Sequence, residues 1–304
     1  MTQRHILFVP GKNPKPPAAQ HKSLLWRTLI EGVRRVDPDV ANNLSQHPDN
    51  FKLIAWNYLY YKTVKDINRD LPWIDALINK HGPSELDIKE AKSSHKIFHQ
   101  IIYNIFDHFP FLLNFFPGVL KATADEINRY FNNKNNIACE VREQLKKELR
   151  PLFDSTDKIL VIAHSMGSII AYDTLWELSH LENHPNKIDL FLTIGSPLGM
   201  NYVQRRLMGN PYTGMKKYPT NIKHWVNISS TGDITALNHI FANDFSEMRK
   251  LNIIDSIEDH CEGIFNFFHN EDGLNCHRSY GYLVNPAIGK VIADWWQSYN
   301  ISEK

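Results

Sequence analysis

Short apolar runs alternate along the chain with stretches that have helical periodicity. A continuous aliphatic run at residues 159–162 is typical of a strand buried on both faces of a parallel sheet, and residues 6–9 and 188–194 give further strand signals. Residues 222–229 give one more strand signal, whereas the apolar positions of residues 24–36 recur at helical spacing. Because strand and helix patterns alternate, the sequence predicts an α/β fold, with a mainly parallel sheet flanked by helices on both faces.

Weaker signals add four elements to this prediction. The segment FKLIAWNYLYY, residues 51–61, favours a second strand, and helical patterns cover residues 139–149 and 286–299. One more strand is expected before the last helix, where the apolar runs 253–257 and 264–268 compete for it.

The alternation of strands and helices stops between residues 63 and 136, where the sequence has helical and loop character but no good strand signal. We therefore expect a helical insertion that lies over the sheet as a cap. This interpretation divides the chain into a core of residues 1–62 and 137–304 and a cap of residues 63–136.

The overall charge is almost balanced, with 34 lysines and arginines against 33 aspartates and glutamates in 304 residues. No global field would recruit nucleic acid, so we expect no nucleic-acid partner. The three cysteines are spaced neither as metal ligands nor as a disulfide framework, which favours a chain without a metal site in a reducing, cytoplasmic setting. The longest apolar stretch, residues 109–120, is too short to span a bilayer, and we expect no transmembrane segment.

A serine occupies the predicted turn between the strand at residues 159–162 and the helix that follows it. Small residues, Ala163 and Gly167, stand two positions before and two positions after Ser165, as a tight strand-to-helix turn requires. The resulting motif, AHSMG, matches the nucleophile-elbow pattern G-x-S-x-G with alanine in the first place. Such a turn brings the serine hydroxyl to the carboxyl end of the sheet and directs the amide of Met166 toward a substrate oxygen.

A serine hydroxyl needs a nearby imidazole to take its proton and a carboxylate to orient that imidazole. These partners are expected on loops that follow the carboxyl ends of later strands. Asp233 lies in such a loop, TGDITAL, a few residues beyond the predicted strand at 222–229, and it is our candidate for the acid. Asp244 and Asp272 are the alternatives.

Fifteen histidines compete for the role of the base. His277 lies ahead of the last helix and downstream of the candidate acid, which gives the chain order serine, acid, histidine. His260 and His269 lie in the same region and remain alternatives, whereas His164 adjoins the serine and is expected only to pack. Two aromatic residues are expected to anchor the loop beneath the last helix: Tyr280 and Tyr282.

The loop after the first strand, VPGKNPKPP, is the expected source of a second donor for the oxyanion that forms when the serine attacks. Gly11 allows a close backbone approach, and the amide of Lys12 would donate beside that of Met166. The sequence therefore predicts an oxyanion hole formed by Gly11, Lys12 and Met166.

With these motifs the chain resembles the lipase and esterase branch of the α/β-hydrolase superfamily, in which AHSMG replaces the commoner glycine-first elbow. The resemblance covers the sheet core, roughly residues 6–60 and 139–297. It implies an α/β-hydrolase fold and a serine hydrolase that acts through an acyl-enzyme, without a metal or organic cofactor. In that enzyme Ser165, Asp233 and His277 would be nucleophile, acid and base. The chain departs from the family in its first loop, which has Pro-Gly instead of the usual His-Gly, and in lacking a pattern for the first two strands of larger members.

The expected reaction is the hydrolysis of a carboxylic ester, and the substrates considered include lipid and phospholipid esters. Thioester hydrolysis, acyl transfer and ligand binding without turnover on the same fold stay open. The aromatic segment of the cap, residues 98–120, is expected either to pack on the sheet or to line an acyl pocket with Phe115 and Phe116. A cap of the second kind would also allow peripheral contact with a membrane.

Overall fold

Within the described residues, six strands form one sheet in which every pairing is parallel. This computed structural model describes residues 3–93, 118–233 and 240–298, except for the side chains of residues 118–124. In chain order the strands are β1 Arg4–Val9, β2 Phe51–Leu53, β3 Lys158–His164, β4 Ile188–Ile194, β5 Ile222–Ile228 and β6 Ser256–His260. Their order across the sheet is β2-β1-β3-β4-β5-β6. The predicted parallel α/β sheet is confirmed.

Helices flank this sheet on both faces. The described α-helices are α1 Ala18–Arg34, α2 Pro38–Ser45, α3 Trp56–Tyr61, α4 Leu71–Asn79, α5 Glu85–Ala91, α6 Gly118–Phe131, α7 Ile137–Phe153, α8 Met166–His180, α9 Asn201–Gln204, α10 Phe241–Asp244, α11 Ser246–Lys250, α12 Ser279–Leu283 and α13 Pro286–Gln297. A separate antiparallel pair, β7 His269–Asn270 and β8 Gly273–Leu274, precedes α12. The helices predicted at residues 24–36, 139–149 and 286–299 correspond to α1, α7 and α13.

Alternate side chains of each central strand enter two different apolar cores, because successive residues of a strand point to opposite faces. On one face, Ile6 and Phe8 of β1 pack with residues of α1, α2 and α13. On the other face, Leu7 and Val9 pack with residues of α7 and α8. All four side chains are fully buried, which accounts for the continuous apolar run in this part of the sequence.

The prediction of one long second strand was wrong. Strand β2 ends at Leu53, and the rest of the predicted strand contains helix α3. Tertiary contacts hold this helix in place: the indole Nε1 of Trp56 donates to the carbonyl oxygen of Pro10 at 2.7 Å, and the Tyr60 hydroxyl donates to the backbone of α6 at 2.6 Å. The β propensity of these aromatic residues is outweighed by such contacts.

The last strand of the sheet also differs from both candidates of the sequence. Strand β6 overlaps the run 253–257 by two residues, and residues 264–268 are not in a strand. Strand β6 lies at the edge of the sheet, and Ile257 is its one buried residue. The other four residues of the strand are polar, so no apolar run in the sequence indicates this strand. The apolar side chains of Ile253 and Ile254 instead pack in a core beside the strand.

The described part of the predicted insertion, residues 63–93 and 118–136, is helical and contains no strand beyond an isolated bridge at Val64. Helix α4 packs through Ile74 and Leu77 into the same core as α1. The function of this insertion as a cap stays a prediction. No helix in the described ranges is both long and apolar enough to cross a bilayer.

Candidate functional site

The carboxyl ends of β1 and β3 meet where the order of strands in the sheet reverses. From β1 the chain proceeds to β2 on one side, whereas β3, β4, β5 and β6 follow one another on the other side. In open α/β sheets, ligands bind in the crevice outside the carboxyl ends of the strands at such a reversal. The loops after β1 and β3, which contain Gly11 and Ser165, both begin at this position.

Ser165 lies in a tight turn between β3 and α8. Its backbone has φ 54° and ψ −128°, a conformation that side-chain-bearing residues rarely adopt, and such strain is concentrated at functional sites. The turn is close to β1, since a Cβ atom at Gly167 would lie 2.3 Å from the carbonyl oxygen of Val9 and 2.6 Å from that of Pro10. This contact explains why the position two residues after the serine is a glycine.

The structure brings together the three side chains that the sequence selected. The Nε2 atom of His277 lies 2.8 Å from the Oγ atom of Ser165, and its Nδ1 atom lies 2.8 Å and 3.0 Å from the two carboxylate oxygens of Asp233. The carboxylate is fully buried, whereas the imidazole is one-quarter exposed. A carboxylate can only accept, so it favours the tautomer with a proton on Nδ1, which leaves Nε2 free to accept from the serine hydroxyl.

A tyrosine that the sequence assigned only to loop anchoring completes the environment of Asp233. The hydroxyl of Tyr282 donates to Oδ2 of Asp233 at 2.6 Å and accepts from the amide of Ser230 at 2.9 Å. Burial, followed by the charge of Asp233, raises the pKa of Tyr282 well above its ordinary value. The tyrosine therefore stays a neutral donor, and the buried carboxylate is held between two donors.

Gly195, in the loop after β4, is a second residue that the sequence analysis missed. Its φ is 54°, and a Cβ atom at this position would lie 2.8 Å from Oδ2 of Asp233 and 3.1 Å from Nδ1 of His277. No side chain fits there without displacing the pair. A glycine directly after a buried strand, in GSPLGM, was the available signal.

His164 contacts the backbone of the site, although it was expected only to pack. Its Nε2 atom lies 2.7 Å from the carbonyl oxygen of His277, and the two imidazole centres are 4.7 Å apart. Burial lowers the pKa of His164 well below its ordinary value, and the proximity of His277 lowers it further. The ring is therefore neutral and holds the loop that carries His277.

The predicted oxyanion loop lies directly against the serine. A Cβ atom at Gly11 would be 2.9 Å from the Cβ atom of Ser165, so a side chain at this position would collide with the turn. The side-chain amide of Asn57 in α3 holds the loop by donating to the carbonyl oxygen of Gly11 at 2.9 Å. The side chain of Lys12 points to Glu126 at 3.3 Å.

The other predicted oxyanion donor, the amide of Met166, lies at the start of helix α8. Met166 is the first residue of this helix, where an amide has no carbonyl one turn earlier to receive its proton. The amide also lies at the positive end of the helix dipole. A negatively charged oxygen beside Ser165 would be stabilised both by this free amide and by the helix dipole.

The alternative acids and bases have other surroundings. The Nε2 atom of His269 lies 2.7 Å from Asp87, and His260 lies half-exposed on the edge strand β6. Asp272 contacts Asn270 in the turn between β7 and β8. Asp244, the other alternative acid, ends α10. The predicted pocket residues Phe115 and Phe116 lie outside the described residues.

Comparisons with protein-family models, with curated proteins and with solved structures find no match to this chain. The fold and the geometry of the site are therefore the observations from which a function can be argued. At the carboxyl end of the parallel sheet, a serine, an imidazole and a buried carboxylate form one hydrogen-bonded series.

Proposed function

We propose that this chain is a serine hydrolase that cleaves a carboxylic ester through an acyl-enzyme. The observation that carries the proposal is the unbroken series of hydrogen bonds from Ser165 through His277 to Asp233. Each hydrogen-bond distance in this series is in the range that nucleophilic catalysis by serine requires. The strained turn at the serine is also of the kind found at active sites.

In the proposed reaction, the Oγ atom of Ser165 attacks the carbonyl carbon of the ester while Nε2 of His277 takes the serine proton. The charge of Asp233 stabilises the imidazolium that forms. The amides of Met166 and Lys12 donate to the tetrahedral oxyanion. As the intermediate collapses, the bond to the alcohol breaks and the imidazolium returns its proton to the leaving oxygen. Water then attacks the acyl-enzyme by the same route and releases the carboxylic acid.

We further propose that the fold is that of the α/β-hydrolase superfamily, in its lipase and esterase branch. Three observations support this assignment. The serine follows β3 in a strand-turn-helix, Asp233 lies in the loop after β5, and His277 lies in the segment that precedes the last two helices. This is the order serine, acid, histidine that is typical of the superfamily.

A serine-directed fluorophosphonate probe tests the proposal. The wild-type chain should form a covalent adduct at Ser165, identified by mass spectrometry of the modified peptide. Ser165→Ala should lose both the adduct and ester turnover, and removal of such a serine costs on the order of a million-fold in kcat. His277→Ala should be nearly as damaging, while His260→Ala, which alters a half-exposed histidine outside the site, should retain activity. An adduct that persists in the Ser165→Ala protein would disprove the assignment.

Thioester hydrolysis and acyl transfer use the same three side chains, and turnover measurements on matched oxygen esters, thioesters and alcohol acceptors distinguish them. The chain length of the acyl group tests the proposed pocket of Phe115 and Phe116. If they line it, replacement of both by serine should weaken turnover of long-chain esters far more than of acetyl esters, since each buried methylene contributes about 0.8 kcal/mol. An equal loss on both substrates would assign the two rings to packing.

A further inference from the structure

Four buried or partly buried polar side chains gather between the first loop and helix α12, next to the proposed catalytic residues. Tyr280 and His21 are 1% and 2% exposed, and Lys15 is 9% exposed. The ring of Tyr280 lies 6.2 Å from that of His21, and the guanidinium carbon of Arg278 lies 5.4 Å from the centre of the Tyr280 ring. These four residues are called the Lys15 cluster below.

Several polar atoms of the Lys15 cluster lack a protein partner. Within the described parts of the chain, the hydroxyl of Tyr280, Nε of Arg278 and Nδ1 of His21 are buried and make no hydrogen bond. The ammonium group of Lys15 can donate three hydrogen bonds, and among the described residues it makes one, to the carbonyl oxygen of Lys12 at 2.7 Å. Buried polar atoms normally have hydrogen-bond partners, so a bound group would supply the partners that these atoms lack.

The charge of the cluster is not balanced. The charged groups with the largest effects on Lys15 are Arg278, Asp70, Lys65 and Lys12, and Asp70 is the one acid of this set. Its carboxylate is already shared, because Lys65 lies 2.8 Å from Oδ1 and Arg278 lies 2.5 Å from Oδ2. Lys65 and Arg278 thus share one carboxylate, while Lys12 is paired with Glu126. When Lys15 is protonated, the cations Lys15, Arg278 and Lys65 exceed Asp70 by two charges, which an anion with one or two charges would balance.

The Lys15 cluster adjoins the site on two sides. Arg278 directly follows His277, and the hydrogen bond from Lys15 ends on Lys12, in the predicted oxyanion loop. Lys15 is also close enough for its charge to lower the pKa of His164, the residue before the serine. A group bound in the cluster would thus be a neighbour of an ester held at Ser165.

We propose that Lys15, Arg278 and Tyr280 form an anion subsite that binds a phosphate group carried by the substrate. The inference rests on the proposed function, because it makes the substrate a phosphorylated acyl ester. Phosphate oxygens accept hydrogen bonds from an ammonium group, a guanidinium Nε and a phenol hydroxyl, which are the donors gathered here. A phosphate monoester carries between one and two negative charges near neutral pH, which matches the excess of cations.

The protonation of Lys15 depends on whether an anion is bound beside it. The pKa of the lysine is lowered to about 7, first by burial and then by the positive charge of Arg278. A nearby phosphate would favour the charged form and so draw a proton to the amine. In the same surroundings, the pKa of His21 is lowered well below its ordinary value, by burial first and by Lys15 next, so His21 stays neutral and adds no positive charge to the cluster.

The first experiment measures binding of inorganic phosphate by titration calorimetry on the Ser165→Ala protein, which isolates binding from turnover. Tyr280→Phe keeps the ring and removes the hydroxyl, while Lys15→Met keeps the length and removes the charge. Each should weaken phosphate binding about tenfold or more, the effect of one hydrogen bond to a charged group. Lys290→Met, at an exposed lysine on α13, is the matched control and should leave binding unchanged. Absence of binding in the Ser165→Ala protein, or equal binding in all variants, would overturn the subsite.

The second experiment compares two esters in the protein with Ser165 intact, 1-butyrylglycerol and 1-butyrylglycerol 3-phosphate. The ratio of their kcat/KM values should favour the phosphorylated ester and should fall about tenfold in Tyr280→Phe and in Lys15→Met. If neither variant changes the ratio, the cluster binds inorganic phosphate and not the phosphate group of the substrate, which overturns the proposal. Failure of the proposed function is distinguishable, because neither ester would then be cleaved while calorimetry would still detect phosphate.

Discussion

The Nε2 atom of His164 lies 2.7 Å from the carbonyl oxygen of His277. The residue before Ser165 is therefore hydrogen-bonded to the backbone of the histidine that faces the serine hydroxyl. Burial and the proximity of His277 keep His164 neutral. Because a carbonyl oxygen can only accept, the single ring proton lies on Nε2 and is donated to that oxygen. The contact joins the end of β3 to the loop that carries His277, and it helps to fix the 2.8 Å separation between the imidazole of His277 and the hydroxyl of Ser165.

Loss of this hydrogen bond should reduce turnover by misplacing His277. We expect His164→Phe to lower kcat for an ester about tenfold to a hundredfold, since small displacements of catalytic groups have effects of that size. His164→Gln, which can still donate from its amide, should recover part of the loss. The control is His180→Phe, because His180 makes the same 2.7 Å contact, to the carbonyl oxygen of Tyr218 at the far end of α8. Equal kcat values in His164→Phe and His180→Phe would contradict this role.

The sequence predicted the residues that topology alone brings together. Ser165 is recognisable from its local motif, and Asp233 follows from the rule that loops after parallel strands converge at one edge of the sheet. His277 follows from chain order. The distances among these three agree with that interpretation, although their chemical roles stay predictions.

The supporting residues could not be predicted because their importance depends on distances across the fold. Tyr282 lies 49 positions after Asp233 in the sequence, and no local pattern indicates the contact between them. Asn57 holds the first loop from a helix that the sequence analysis interpreted as a strand. In both cases the tertiary contact decides the role, and in the second it also decides the local structure.

A methyl group at Gly195 should separate Asp233 from His277. Gly195→Ala places a Cβ atom 2.8 Å from Oδ2 of the acid and 3.1 Å from Nδ1 of the histidine, so we expect kcat to fall at least about a hundredfold. Gly214→Ala is the matched control: Gly214 has a similar φ of 59°, but its Cβ atom would have no neighbour within 4 Å among the described atoms. Both variants should lose about 1 kcal/mol of stability from backbone strain, and Gly195→Ala alone should lose activity. The measurements are thermal melting and ester turnover, and similar activities in the two variants would refute the steric argument.

Removal of the Tyr282 hydroxyl tests whether Asp233 needs its second donor. Tyr282→Phe preserves the ring but leaves the buried Oδ2 of Asp233 without its 2.6 Å hydrogen bond. We expect kcat to fall roughly tenfold and unfolding free energy to fall by about 1–3 kcal/mol, the cost of removing a hydrogen bond to a buried charge. Tyr212→Phe, at an exposed tyrosine that stacks on Trp176, should change neither quantity by much. Unchanged kcat and stability in Tyr282→Phe would show that the carboxylate does not need this donor.

The buried amine of Lys15 should make stability depend on pH. Its pKa is about 7 in the folded protein against an ordinary value of 10.5, with burial as the main cause. Below pH 7 both folded and unfolded chains carry the proton, and the penalty for burying the charge is present in full. As the pH rises toward 10.5, the folded protein has already lost the proton that the unfolded chain still holds, so the penalty disappears.

Lys15→Met removes this titration, and the gain in stability over the wild type should therefore be largest at and below neutral pH and should shrink as the pH rises above 7. Each pKa unit corresponds to about 1.4 kcal/mol, so the gain should decrease by about 3 kcal/mol between roughly pH 7 and pH 9.5. Urea unfolding of both proteins across this range provides the measurement, in buffers without phosphate so that the proposed subsite stays unligated. Lys290→Met, at an exposed lysine, should differ from the wild type by an amount that hardly varies with pH. A gain for Lys15→Met that is constant from pH 6 to 9.5 would mean that the amine is not desolvated in the folded protein.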